Sequence, residues 1–143
     1  MVKAVIILDP EEHTRWVLRT LLENEGYKVF CAATTEEARK ILLEYKFHGL
    51  ISEYWIGQDS TLELIKKFKE LSPDGYVMML ANDDVQEHEY QEIINAGVDD
   101  FFVKPFPTRR ILLHLQKGLR NHNEQNQSSA EFQAPQNQLG IIG

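Results

Sequence analysis

The chain has 143 residues, 43% of them hydrophobic and 26% charged, enough for one domain with a sizeable core. Its formal net charge of −7 argues against direct nucleic-acid binding by this segment, because phosphate contacts need a basic face. No apolar run approaches the length of a membrane span, and the single cysteine, Cys31, excludes an internal disulfide. Asp9 ends the first apolar run and no small-residue cleavage site follows, so a cytoplasmic location is the expectation.

Residues 3–8 are a nearly unbroken apolar run, as expected of a strand buried on both faces. Residues 11–25 place Trp16, Val17, Leu18, Leu21 and Leu22 at helical spacing, with Gly26 as the stop. Residues 27–32 read as a second strand. Thr34 then opens a helix with Glu37 as its capping-box partner, and Ala38, Ile41, Leu42 and Tyr45 are its predicted inner face. Residues 48–53 read as a third strand, and residues 61–71 as a helix with Leu62, Leu64, Ile65, Phe68 and Leu71 as its stripe. Ser72-Pro73-Asp74-Gly75 is a turn signal before a fourth strand over 76–80. A more polar helix over 86–96 ends at Gly97. A fifth strand over 100–103 and a fifth helix over 108–120 complete the pattern. Strands alternating with helices mean βαβ units on a parallel sheet, and right-handed crossovers make this an α/β doubly wound sandwich.

From Asn121 to Gln138 the chain is rich in Asn, Gln, Ser and Glu, and reads as a linker or a frayed extension of the last helix. The apolar ending Leu139-Gly140-Ile141-Ile142-Gly143 is expected to lead into a further domain. Over that short length it resembles the start of the ATPase module of enhancer-binding transcription activators. The expected division is therefore 1–120 as the folded domain and 121–143 as a polar tail.

In an open parallel sheet, chemistry collects beyond the carboxyl ends of the strands. Asp9, Glu53, Ala81 and Lys104 sit at or just past four such ends. An acid after the first strand, an acid ending the third and Lys104-Pro105 after the fifth together resemble the receiver domain of two-component response regulators, over residues 2–120. The resemblance implies the flavodoxin-like strand order 2-1-3-4-5. It also implies a phosphoacceptor site built from paired acids after the first strand, an aspartyl nucleophile, a Ser/Thr after the fourth strand and a Lys after the fifth. Here Asp9 matches the first acid and Lys104 the lysine, followed by a proline whose peptide bond is typically cis in the family. Pro10 stands at the second, metal-ligating acid, Glu53 at the nucleophile and Ala81 at the Ser/Thr.

Phosphoryl transfer to a carboxylate needs a nucleophile in line, a divalent cation and donors to the phosphoryl oxygens. With Pro10 and Ala81 at helper positions, the expectation is a non-enzymatic module that takes up no phosphoryl group. Mg²⁺ would bind at most weakly through Asp9, and no other cofactor is implied. Asp9 could equally cap the first helix, with Pro10 in its first turn. Lys104 is expected to pair with Glu53, since a carboxylate there without a countercharge is costly. Glu53, one methylene longer than aspartate, is either inert or an imitation of the phosphorylated state.

The resemblance also implies signalling through the fourth helix, fifth strand and fifth helix, with Phe101 as the switch aromatic. Phe101 is expected to pack inward, because Ala81 leaves room for it. Glu87, Glu89 and Glu92 on the fourth helix face Arg109, Arg110 and Lys117 on the fifth in sign, which would suit a homodimer across this surface. The implied partners are proteins: a histidine kinase, an output domain or a second receiver. A regulator phosphorylated on Glu53 or elsewhere is the alternative within the family. A flavodoxin-like nucleotide-binding protein or enzyme is the alternative outside it, disfavoured because the acidic Asp9-Pro10-Glu11-Glu12 loop repels phosphate. His13, His48, His88, His114 and His122 have no metal-ligand spacing and are expected in surface or packing roles.

Overall fold

A computed structural model describes residues 2–127. The elements run β1 (Ala4–Leu8), α1 (Glu12–Asn24), β2 (Lys28–Ala32), α2 (Thr35–Glu44), β3 (Gly49–Glu53), β4 (Trp55–Ile56), β5 (Asp59–Ser60), α3 (Leu62–Leu71), β6 (Tyr76–Ala81), α4 (Glu87–Ala96), β7 (Asp100–Val103) and α5 (Thr108–Gln127). Five strands form one parallel sheet in the order β2-β1-β3-β6-β7. Counting only this sheet, the order is the expected 2-1-3-4-5. β4 and β5 form a separate two-residue antiparallel hairpin between β3 and α3, which periodicity does not reveal.

The two faces of the sheet explain the unbroken apolar runs. Ile6, Leu8, Leu50, Val77 and Met79 point to the side covered by α2, α3 and α4, through Ala38, Leu42, Leu64, Ile65, Phe68, Ile93 and Ala96. Val5, Ile7, Ile51, Met78 and Leu80 point to the other side, covered by Leu18 and Leu22 of α1 and by Ile111, Leu115 and Leu119 of α5. Helix ends follow local chemistry. Thr34 accepts from the Glu37 N–H and Glu37 accepts from the Thr34 N–H, the reciprocal box that fixes the start of α2. Gly26 and Gly97 take φ of 91° and 110° just after α1 and α4, a conformation open to glycine.

Three expected core positions are corrected. Trp16 is 63% exposed, because α1 buries Thr14, Leu18 and Leu22, and Trp16, two positions from Thr14 and from Leu18, lies on the far side of the helix. Tyr45 is 50% exposed: it ends α2 in extended conformation and leans on the Phe30 ring at 4.8 Å instead of facing the core. Leu71, the last residue of α3, is exposed as well. The fifth helix runs on to Gln127, past its expected end at residue 120. The tail from residue 128, with its apolar Leu139–Gly143 ending, and the side chain of His122 lie outside the described residues. No helix among the described residues is long and apolar enough to cross a membrane.

Candidate functional site

Strand register brings the polar residues together. Leu8 pairs with Ser52, so Asp9 follows β1 beside the end of β3. Glu53 pairs with Leu80, and Ala81 with Val103, so Glu53, Ala81 and Lys104 finish adjacent strands. The Lys104 N–H donates to the Ala81 carbonyl at 2.7 Å, and the Lys104–Pro105 peptide bond is cis.

Each acid is held by its backbone. The Asp9 N–H donates to the Ala32 carbonyl at 3.1 Å, and the Asp9 carbonyl accepts from Arg15 Nη1 at 2.8 Å. The Glu53 carbonyl accepts from Thr61 Oγ1 at 2.7 Å and from Ser52 Oγ at 2.9 Å. Both carboxylates are buried, Asp9 at 1% and Glu53 at 2% exposure, and the Lys104 side chain is 15% exposed.

One ammonium serves both acids. Lys104 Nζ donates to Asp9 Oδ2 at 2.8 Å and lies 2.6 Å from Glu53 Oε1. Lys104 is thus an ionic partner of Glu53, whose Oε1 makes no hydrogen bond of regular geometry. Asp9 Oδ1 is taken by the Glu11 N–H at 2.8 Å. Burial pushes the Glu53 carboxyl above its ordinary value; Lys104 opposes the rise and the neighbouring Asp9 adds to it. Burial works against the Lys104 charge, but its contacts with Asp9 and Glu53 outweigh that and hold the ammonium above its ordinary value.

Asp9 is not the cap of α1: Glu11 is, without a side-chain cap bond, and the exposed Pro10 lies outside the helix altogether. Ala81 is buried and offers only its backbone. Phe101 is half-buried, packed on the core beneath α2, α3 and α4 and edge-on to Tyr90 with centroids 6.1 Å apart.

A hard cation such as Mg²⁺ wants several oxygens in octahedral array. Here an ammonium stands between the only two buried acids of the site, Pro10 supplies no donor, and no group of three acidic, His or Cys side chains among the described residues could hold a metal. These residues do not fit the ion.

Two polar arrangements carry no sequence signal. Tyr54, next to Glu53 and 2% exposed, donates through its hydroxyl to Glu89 Oε2 on α4 at 3.2 Å. Below the sheet, the Tyr76 hydroxyl donates to the buried Asp100 Oδ2 at 2.5 Å, with His114 of α5 at 3.6 Å from the other carboxylate oxygen. Both join residues far apart in the chain, through contacts that neither spacing nor composition encodes.

Residues 5–116 match the family model of the response regulator receiver domain. The phosphate regulon transcriptional regulatory protein PhoB of Pseudomonas aeruginosa is 28% identical over 120 residues, 82% of this chain and 52% of that protein. The transcriptional regulatory protein SrrA of Staphylococcus aureus is 25% identical over 120 residues, 84% of this chain and 49% of its own. The chain thus spans about half the length of the curated relatives it matches. Among solved structures, a CheY-like receiver domain protein from Methanospirillum hungatei superposes with a TM-score of 0.81 at 23% identity, covering 87% of this chain and 99% of that one. The beryllofluoride-activated NtrC4 receiver domain dimer superposes with a TM-score of 0.77 at 29% identity, covering 85% and 99%.

Proposed function

The chain belongs to the response regulator receiver family, and from that premise we propose that it is a signalling receiver whose acceptor site holds a fixed ion-pair network in place of phosphotransfer machinery. Receiver domains are signalling modules that work with kinases and output domains in two-component systems. The observation that carries the reading is the single ammonium of Lys104 at 2.8 Å from Asp9 and 2.6 Å from Glu53. The lysine that would grip a phosphoryl oxygen is already engaged by both acids. Ala81 brings no hydroxyl donor and Pro10 no second metal ligand, so Asp9, Pro10, Glu53, Ala81 and Lys104 form a degenerate phosphoacceptor site. Signalling then runs through protein contacts of the α4-β7-α5 face, with Phe101 as its aromatic. The partner is a kinase, an output domain or a second receiver. The dimeric state of the NtrC4 receiver supports a two-copy arrangement, which we place on that face.

The test is direct. Incubated with acetyl phosphate and Mg²⁺, the intact protein should keep its mass. A stoichiometric adduct of one phosphoryl group, stable in acid and labile in base, overturns the proposal in favour of a phosphorylatable regulator.

A further inference from the structure

The α4 helix is weakly anchored. It buries only Ile93 and Ala96, both in its C-terminal half, whereas α3, of equal length, buries Leu64, Ile65 and Phe68. Its N-terminal half makes two contacts with aromatic residues on or next to the sheet. Tyr90 meets the edge of Phe101, and Glu89 accepts from the Tyr54 hydroxyl at 3.2 Å. Segments with few buried apolar contacts open at low cost, so a single polar tether weighs heavily there.

The same Glu89 holds the start of the helix. Its Oε1 accepts from the Gln86 N–H at 3.0 Å while Oε2 takes the Tyr54 hydroxyl. At the other end of the link, Tyr54 is fixed. Its N–H donates to the Leu80 carbonyl at 2.7 Å, its carbonyl accepts from the Thr61 N–H at 2.9 Å, and its ring lies 4.9 Å from that of Trp55. Glu53 precedes it directly. Burial, with the Glu89 charge beside it, pushes the Tyr54 phenol up to about 12, so it stays a donor across the physiological range.

We propose that Tyr54 is a positioning residue that couples the Glu53 end of β3 to the first turn of α4 through Glu89, a route independent of any hydroxyl at position 81. The proposal rests on the receiver reading of Glu53 and α4 for its functional meaning, while the coupling itself is measured without reference to phosphorylation or to a partner. Displacement of the Glu53 backbone is transmitted to Tyr54 as the next residue, and from its hydroxyl to the carboxylate that also caps α4.

Hydrogen exchange on the intact protein tests this. Tyr54→Phe keeps the ring and removes only the donor. It should speed exchange of the amides at 88–91 by about fivefold, the effect of losing one ordinary hydrogen bond, and leave α2 and α5 unchanged. Glu53→Gln should alter exchange in the same amides by about fivefold, a modest coupling between sites, and should lose that effect in the Tyr54→Phe background. A merely structural tyrosine would show the first result without the second. Glu89→Ala, a partly exposed position, supplies an independent arm: adding Tyr54→Phe to it should change nothing further. Unchanged exchange in Tyr54→Phe, or an equal response to Glu53→Gln with and without the hydroxyl, overturns the proposal. Phosphoryl uptake in the acetyl phosphate experiment would overturn the reading of a site without phosphotransfer and leave this coupling standing.

Discussion

Lys104 is the shared countercharge of two acids, and its removal should expose how strongly the site depends on it. Breaking a buried ion pair by deleting one partner typically costs about 3–5 kcal/mol, because the remaining charges stay buried and unpaired. Lys104→Met leaves Asp9 and Glu53 side by side at 1% and 2% exposure with no countercharge. A stability loss of that order is expected near pH 7, read from urea unfolding. The pH dependence follows from the Glu53 carboxyl. Its folded value already lies above the ordinary 4.5, raised first by burial, and loss of the lysine removes the group that opposes the rise. The folded variant therefore binds more protons than its unfolded chain between that raised value and 4.5, and its stability grows as pH falls through the window. The deficit against the parent protein should shrink on acidification from neutrality toward pH 4.5. A deficit that stays constant or widens would mean that Glu53 is not the group left unpaired.

At the scale of elements, α5 docks through a glycine. A Cβ at Gly118 would fall 2.3 Å from the Tyr76 ring, and that ring cannot swing aside while its hydroxyl is bound to Asp100. Gly118→Ala should gain about 1 kcal/mol of helix propensity and lose more to overpacking, which commonly costs about 1–3 kcal/mol. A net destabilisation is expected in denaturant titration, and a stabilised variant would show that α5 is free to shift. No sequence signal locates this contact, because Gly118 sits mid-helix with no turn to require it. What the sequence does signal is set by periodicity. The apolar runs at 3–8 and 76–80 and the Thr34–Glu37 box signal their elements within a few neighbouring residues. The β4-β5 hairpin was missed because two-residue strands carry no period. Trp16, Tyr45 and Leu71 were misplaced because spacing identifies a helix face but not how wide a stripe the sheet covers. Asp9, Glu53, Ala81 and Lys104 could be gathered at one end because parallel strands deliver their carboxyl ends to the same edge. The partition of Lys104 between two acids, and the reach of Tyr54 to Glu89, depend on side-chain directions that appear only in three dimensions.

For the whole molecule, the site is a joint product of four strand ends, so on the proposed reading changing one residue should not confer phosphotransfer. Glu53→Asp withdraws the carboxylate by about 1.5 Å, one carbon–carbon bond, and recreates the attacking group of the family. The barrier also depends on groups carried by other strands. A missing preorganised donor typically costs about 3–4 kcal/mol in the transition state, and the lack of a metal neutralising the phosphoryl charge should add several more. Glu53→Asp alone is therefore expected to gain no measurable phosphoryl adduct from acetyl phosphate and Mg²⁺. The triple change Glu53→Asp, Pro10→Asp, Ala81→Thr supplies the nucleophile, a second acid beside Asp9 and a hydroxyl beside Lys104. Pro10 is exposed and outside α1, so its replacement should cost the helix little. Ala81 is buried at the end of β6, so threonine there must find space and a partner for its hydroxyl. Far-ultraviolet circular dichroism and unfolding curves establish whether the triple variant keeps the fold. In the folded variant, intact-mass spectrometry should detect one phosphoryl group, and none when Mg²⁺ is left out of the labelling reaction. Equal rates of labelling for Glu53→Asp and for the triple variant would show that positions 10 and 81 do not belong to the reacting site.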